Sequence, residues 1–200
     1  MEEPAKRTLI MDGISVALLA QNAILLSKPL QALASGNADY LMHLLVILFA
    51  LINFINIAVD WILTKKVGNS YSYSLMFWDV IIAGIYFTFT QTAIGIYDQG
   101  ISMSAILIII ALNYMILNML YFCWNVKGAK QVINEKMATI TMSLNAVFFT
   151  LNLFVLLGSI LEIFLLSIIP FFVFFAASIL LVSYHLKNTF EDNRKENDAK

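Results

Sequence analysis

Two aspartates, Asp60 and Asp79, each stand next to a tryptophan where long apolar runs meet, and Lys65 and Lys66 lie between them. A carboxylate binds cations and exchanges protons, and a nearby ammonium group stabilises its charged form. Tryptophan and lysine are both typical of the boundary between a membrane and water. The stretch 53–79 is therefore predicted to lie at a membrane boundary, and it is the first candidate for a functional centre.

Asp12 is a third carboxylate, about one turn into the first apolar run and predicted at the same membrane level as Asp60. Ionisable groups at this depth cost free energy unless they are paired or hydrated. Lys65 and Lys66 are within reach as partners, because long basic side chains extend along apolar surface. The cluster of Asp12, Asp60, Lys65 and Lys66 either anchors helix ends at the lipid headgroups or forms an acidic vestibule, a cation site or a proton relay. Asp79, about two turns into its helix, is the acid whose depth is most costly.

Carboxamide side chains within the apolar runs are the second group of candidates. Asn53 and Asn56 have a spacing that places them on the same helix face as Asp60, and Gln21 and Asn22 interrupt the first run. Such groups either hydrogen-bond neighbouring helices or replace part of the hydration shell of an ion. Both interpretations remain open for the residues predicted as a polar lining, which are Gln21, Asn22, Asn53, Asn56 and Asp79.

The composition sets the class of protein. Of 200 residues, 60% are apolar and 12% charged, and the mean hydropathy is +0.82. Soluble domains are closer to half apolar and a quarter charged. The sequence therefore predicts an all-α membrane protein whose main partner is the lipid bilayer, and no basic patch indicates binding to nucleic acid. The single cysteine, Cys123, excludes an internal disulfide.

Six segments are long and apolar enough to span a membrane as helices, which takes about 20 residues each. The predicted spans are 8–27, 41–63, 73–97, 101–124, 138–161 and 163–186, and a charged tail, 187–200, follows them. Proline disfavours helix in the residue before it, so the first span is expected to end at Lys28-Pro29. Residues 137–186 as one straight helix would reach about 75 Å, so the chain is expected to fold back between Gly158 and Glu162.

The basic residues determine the expected orientation. Of the 12 lysines and arginines, only Lys28 falls on one side of the predicted membrane, and the others fall on the side that holds both termini. Basic residues accumulate on the cytosolic side. The tryptophans Trp61, Trp78 and Trp124 lie at helix ends on that same side, as an interfacial belt does. We therefore expect a multi-pass protein of the cell membrane with both termini in the cytosol.

Enzymatic motifs are missing from the sequence. It contains neither the H-E-x-x-H pattern of zinc proteases nor the G-x-S-x-G turn of serine hydrolases. The topology predicts His43 and His185 on opposite membrane faces, where they cannot share a site. We therefore predict no enzyme, no cofactor and no metal site.

The order of Arg7, Asp12-Gly13, Trp61 and Asp79 resembles the bacterial six-helix relatives of the lysosomal potassium channel. In that family helix one begins with an arginine and then Phe-Ser-Asp-Gly, a tryptophan ends helix two, and an asparagine begins helix three. Here the two residues before Asp12 are Ile-Met, an aspartate replaces the asparagine, and the family's histidines after the tryptophan are absent. The resemblance covers the first half of the chain and implies a cation channel with cytosolic termini.

Two functions follow as expectations. The first is a homo-oligomeric, cation-permeable pore whose axis is lined by helix one. The alternative is a sensor or anchor that transports nothing and docks a cytosolic protein through Asn125–Lys136 and Lys187–Lys200, as in small membrane subunits of bacterial stress or phage-defence systems.

Overall fold

The computed structural model is a bundle of α-helices. It describes residues 3–36, 39–67, 72–128 and 135–198, without the side chains at several helix ends. The helices are α1 (Glu3–Ala34), α2 (Tyr40–Val67), α3 (Tyr73–Asp98), α4 (Met103–Gly128), α5 (Glu135–Ile160) and α6 (Phe164–Asp198). All six are long and apolar enough to cross a membrane. The chain is thus a multi-pass integral membrane protein, which confirms the predicted fold class.

The helices form a closed ring in the order α1, α2, α6, α5, α4, α3, and α2 also contacts α3 and α4. The side chain of Tyr114 on α4 is buried inside this ring. Its aromatic ring packs at 5.8 Å from Phe49 of α2 and at 4.7 Å from Phe174 of α6. Phe174 in turn meets Phe148 of α5 at 5.3 Å. Four helices therefore contribute contacting aromatic rings to a core that otherwise consists mainly of aliphatic side chains.

Helix α1 does not end at Pro29, as the sequence predicted, but continues to Ala34. The proline removes one backbone donor and restricts the residue before it. Packing overrides that local preference, because Pro29 is buried and the ammonium group of Lys28 is held by both carboxylate oxygens of Asp98 on α3, at 2.6 and 2.7 Å.

The predicted break between α5 and α6 is confirmed. Helix α5 ends at Ile160, α6 begins at Phe164, and Glu162 between them has a φ of 58°. Gly158 allows the two helices to approach closely, since a Cβ added there would lie 2.5 Å from the backbone nitrogen of Ser167. A short connection at this point is possible because glycine leaves that space empty.

Helix α6 is longer than the predicted span 163–186 and runs through most of the charged tail. Its 35 residues correspond to about 52 Å, whereas the hydrocarbon core of a bilayer is about 30 Å thick. In the sequence of this tail, Glu191 precedes Lys195 by four residues, a spacing that stabilises exposed helix. The last turns of α6 therefore extend beyond the membrane.

Candidate functional site

The helix ends near the tryptophans are drawn together on one side of the bundle. Trp61 of α2 donates from Nε1 to Oδ1 of Asp12 on α1, at 2.5 Å. Trp124 of α4 packs with Met11 of α1 and Leu75 of α3 in a small apolar cluster. We call this end of the bundle the tryptophan side, and the opposite end the Lys28 side.

Asp60 and Asp79 line the same cavity near the tryptophan side. Asp79 is brought there by α3, whose N-cap residue Ser72 accepts a hydrogen bond from the backbone N–H of Leu75 at 3.2 Å. The cavity has a volume of about 30 Å³, which is room for one or two water-sized particles. Two of the three predicted acids thus face one space, and the third, Asp12, is bound next to it by Trp61.

Apart from the two carboxylates, the polar groups in the cavity wall are Ser15 of α1 and Tyr86 of α3. The apolar part of the wall is formed by Met11, Ile14, Leu18, Ile57, Ile82 and Ala83. An apolar wall lowers the local dielectric constant, so electrostatic interactions between the two carboxylates and their surroundings are stronger than in bulk water.

Two buried tyrosines lie near Asp60, and one of them binds its carboxylate. Tyr121 of α4 donates its hydroxyl hydrogen to Oδ2 of Asp60. Tyr86 is 1% exposed, and its hydroxyl makes no hydrogen bond of ordinary geometry with any described residue, although the side chains of Tyr121 and Asn56 lie next to it. Asn56, predicted as part of a polar lining, therefore lies next to Tyr86 of the cavity wall.

Deeper in the bundle, Asn53 connects three helices. Its Oδ1 accepts a hydrogen bond from the hydroxyl of Tyr114 on α4 at 2.6 Å, and its Nδ2 donates to Oγ1 of Thr90 on α3 at 3.4 Å. All three residues are buried. The structure thus supports the helix-linking interpretation of Asn53. Thr90, which belongs to this group, follows Tyr86 of the cavity wall by about one turn of α3.

Gln21 and Asn22 of α1 face the interior of the chain. They are 5% and 1% exposed. Nε2 of Gln21 donates to the carbonyl oxygen of Phe87 on α3, and Nδ2 of Asn22 donates to that of Leu18 in the preceding turn, each at 2.9 Å. Most outward residues of α1 are apolar, among them Leu9, Ile10, Val16 and Ile24. Gln21 and Asn22 therefore face the interior of their own chain and not a surface that could meet another chain.

On the Lys28 side, two polar contacts join the ends of α1, α2 and α3. One is the Lys28–Asp98 ion pair, and the other links the hydroxyl of Tyr97 to Nδ1 of His43 at 2.8 Å. Between this end and Asn53, α2 carries two fully buried apolar side chains, Val46 and Phe49.

The side chains of Lys65 and Lys66 lie outside the described residues, as do residues 129–134 of the loop Asn125–Lys136 and residues 199–200 of the tail. Among the described residues, no group of three or more His, Cys, Asp or Glu side chains could hold a metal ion.

The tyrosines of the polar core are the functional candidates that sequence reasoning missed. A signal was present: Tyr114 and Tyr121 are seven residues apart, as are Asp79 and Tyr86, and residues seven apart share a helix face. Tyrosine is common both in membrane interfaces and in apolar cores, so the residue type alone did not distinguish these positions.

Comparison with models of protein families, with curated proteins and with solved structures finds no match to this chain. The similarity to the bacterial relatives of the lysosomal potassium channel therefore stays a prediction. The class of protein, a six-helix integral membrane protein, follows from the helices themselves.

Proposed function

We propose that this chain makes the cell membrane permeable to monovalent cations, and that the ions pass through the polar core of α1 to α4. One observation carries the proposal: Asp60 and Asp79, from different helices, line one cavity near the tryptophan side. The distribution of basic residues predicts that both termini lie in the cytosol. In the predicted homo-oligomer, each chain then contains its own path.

The carboxylates account for a preference for cations. Charged groups at this depth are rare in membrane proteins, because burying a charge costs free energy unless an opposite charge compensates it. Where they occur, they often mark ion pathways. Two carboxylates beside one small cavity create a negative potential that attracts cations and repels anions.

Polar groups continue from the cavity toward the middle of the membrane. Along α3, Asp79, Tyr86 and Thr90 follow each other at intervals of seven and four residues, or about 10 and 6 Å. Asn53 and Tyr114 stand beside Thr90. Carboxamide and hydroxyl oxygens at these positions replace water molecules that an ion leaves behind.

The buried side chains of Val46 and Phe49 have to move out of the path before an ion reaches the Lys28 side. Apolar constrictions of this kind close a path by excluding water. The proposal therefore includes a gate at Val46 and Phe49, between the Asn53 group and the His43–Tyr97 pair.

Ion flux into liposomes tests the proposed function. Purified full-length protein is reconstituted, and potassium and sodium uptake are measured with an applied voltage. We expect flux above that of empty liposomes and a drop of about tenfold or more for Asp79→Asn, which keeps the shape of the side chain but removes its charge. Asp39→Asn, at an exposed position before α2, is the matched control and should conduct as the unmodified protein does. Flux indistinguishable from empty liposomes overturns the proposal.

The extension of α6 favours one alternative, a sensor or anchor that docks a cytosolic protein. The helix continues to Asp198, well beyond the predicted end of the span. A chain with this function gives no ion flux, and it loses its partner when residues 187–200 are deleted. Co-purification of the full-length and shortened chains, combined with the flux assay, separates the two functions.

A further inference from the structure

We propose that the cavity between Asp60 and Asp79 is a binding site for one alkali metal cation without its full hydration shell. The inference rests on the proposed function and names the place where the ion stops on its way. The cavity is lined by residues of α1, α2 and α3, and its volume of about 30 Å³ suits a single small particle.

The oxygen atoms around the cavity are the ligands that such a cation requires. Carboxylates of Asp60 and Asp79 and hydroxyls of Tyr86 and Ser15 all belong to its wall. Hard cations without directional preference bind oxygen atoms of carboxylates, hydroxyls and water. The two carboxylates repel each other when the cavity is vacant, and a cation between them removes that repulsion.

Tyr86 provides an observation that is independent of the acids. Tyr86 belongs to the cavity wall, and its buried hydroxyl lies next to Tyr121 and Asn56 without making a hydrogen bond of ordinary geometry to a described residue. Buried polar atoms in native proteins nearly always have a partner, and an exception indicates a bound water molecule or ion. The oxygen of Tyr86 is thus available as a neutral ligand next to the two carboxylates.

Tyr121 is a positioning residue for this site. By donating a hydrogen bond to Oδ2 of Asp60 it fixes the orientation of that carboxylate. Groups that orient a ligand in this way raise the affinity for an ion without touching it.

Hydration and the number of available ligands favour an alkali metal ion over Mg²⁺. Magnesium gives up its water molecules reluctantly and needs six ligands in octahedral geometry. A cavity of about 30 Å³ does not hold an ion together with several water molecules, and the described residues bring no third acidic or histidine ligand to it.

The chain contains its own reporters of binding. Trp61 follows Asp60 directly and Trp78 precedes Asp79, so the fluorescence of both tryptophans responds to a change of charge in the cavity. Full-length protein in lipid nanodiscs is titrated with NaCl or KCl at constant pH, with N-methylglucamine chloride keeping the ionic strength constant. We expect a saturable change with the alkali salts and none with N-methylglucamine alone.

Three variants locate the site. Asp60→Asn and Asp79→Asn should each weaken binding by about tenfold or more, and Tyr86→Phe, which removes a single oxygen, by less. Asp39→Asn should bind as the unmodified protein does. Calorimetric titration gives the same affinities without relying on tryptophan, and circular dichroism verifies that each variant is folded.

The proposal is overturned if both asparagine variants bind sodium as tightly as the unmodified protein, if the signal follows pH alone, or if MgCl₂ binds with higher affinity than NaCl. Its failure is distinct from that of the proposed function. Flux without saturable binding would contradict the cation site and support the proposed permeability. Saturable binding without flux would support the site and contradict the permeability.

Discussion

Tyrosine hydroxyl groups link the helices through hydrogen bonds in the polar core of this bundle. Tyr114 packs its ring against Phe49 and Phe174 and at the same time donates to Asn53, so one side chain joins an aromatic core to a polar one. Such a residue contributes apolar contact and hydrogen bonding in separable parts. A change that removes only the oxygen measures the polar part.

Tyr114→Phe should destabilise the protein by about 1 kcal/mol, because it keeps the ring and leaves the carbonyl oxygen of Asn53 without its donor. Unfolding in a series of detergent mixtures measures the difference from the unmodified protein. Tyr184→Phe is the control, since Tyr184 is 42% exposed. An equal effect of the two substitutions would show that the hydrogen bond to Asn53 does not contribute to stability.

At the scale of the elements, close backbone approach determines where the chain turns between α5 and α6. The turn depends on Gly158, which faces the backbone of Leu166 and Ser167 with no room for a side chain. Other helical glycines, such as Gly84, have nothing within 4 Å of an added Cβ. The same substitution should therefore have opposite effects at the two positions.

Gly158→Ala should cost about 1 to 3 kcal/mol, because the added methyl group meets backbone atoms that cannot move without separating the helices. Gly84→Ala should be neutral or stabilise the protein by up to about 1 kcal/mol, because alanine loses less conformational freedom in a helix. Thermal unfolding of both variants in the same detergent tests the pair. A melting temperature unchanged by Gly158→Ala would contradict the close approach.

At the scale of the whole molecule, the proposed path and the acidic cavity belong to α1–α4, whereas α5 and α6 complete the ring. The acidic cavity lies near one end of the bundle, so the direction in which the protein is inserted decides which compartment the cavity faces. The distribution of basic residues predicts that the cavity lies toward the cytosol.

Labelling of single cysteines tests this orientation. In a Cys123→Ser background, Ser35→Cys on the Lys28 side should react with a membrane-impermeant maleimide added to intact cells. Lys187→Cys, on the tryptophan side, should react only after permeabilisation. Both positions are exposed, so burial does not explain a difference between them. The reverse pattern would place the acidic cavity and both termini outside the cytosol.

The sequence predicted the number of helices and the break at Gly158 to Glu162, because the length and hydrophobicity of a run suffice to decide whether it spans a membrane. It did not predict that α1 continues through Pro29. The local preference against helix is weaker than the packing of this segment and its Lys28–Asp98 ion pair, and neither of these is a property of the local sequence.

The candidate site, too, was predictable from the sequence only in part. By itself the sequence determined that acids and carboxamides enter the membrane and at what depth, since depth follows from the position of a residue within its span. Only the tertiary structure decided that Asp60 and Asp79 share one cavity, that Gln21 and Asn22 point into a single chain, and that Tyr86 joins the acids. The reason is geometric. Depth is a property of one helix, whereas contact depends on the rotation of several helices against each other. Most of each helix surface is apolar, so no short stretch of sequence determines that rotation.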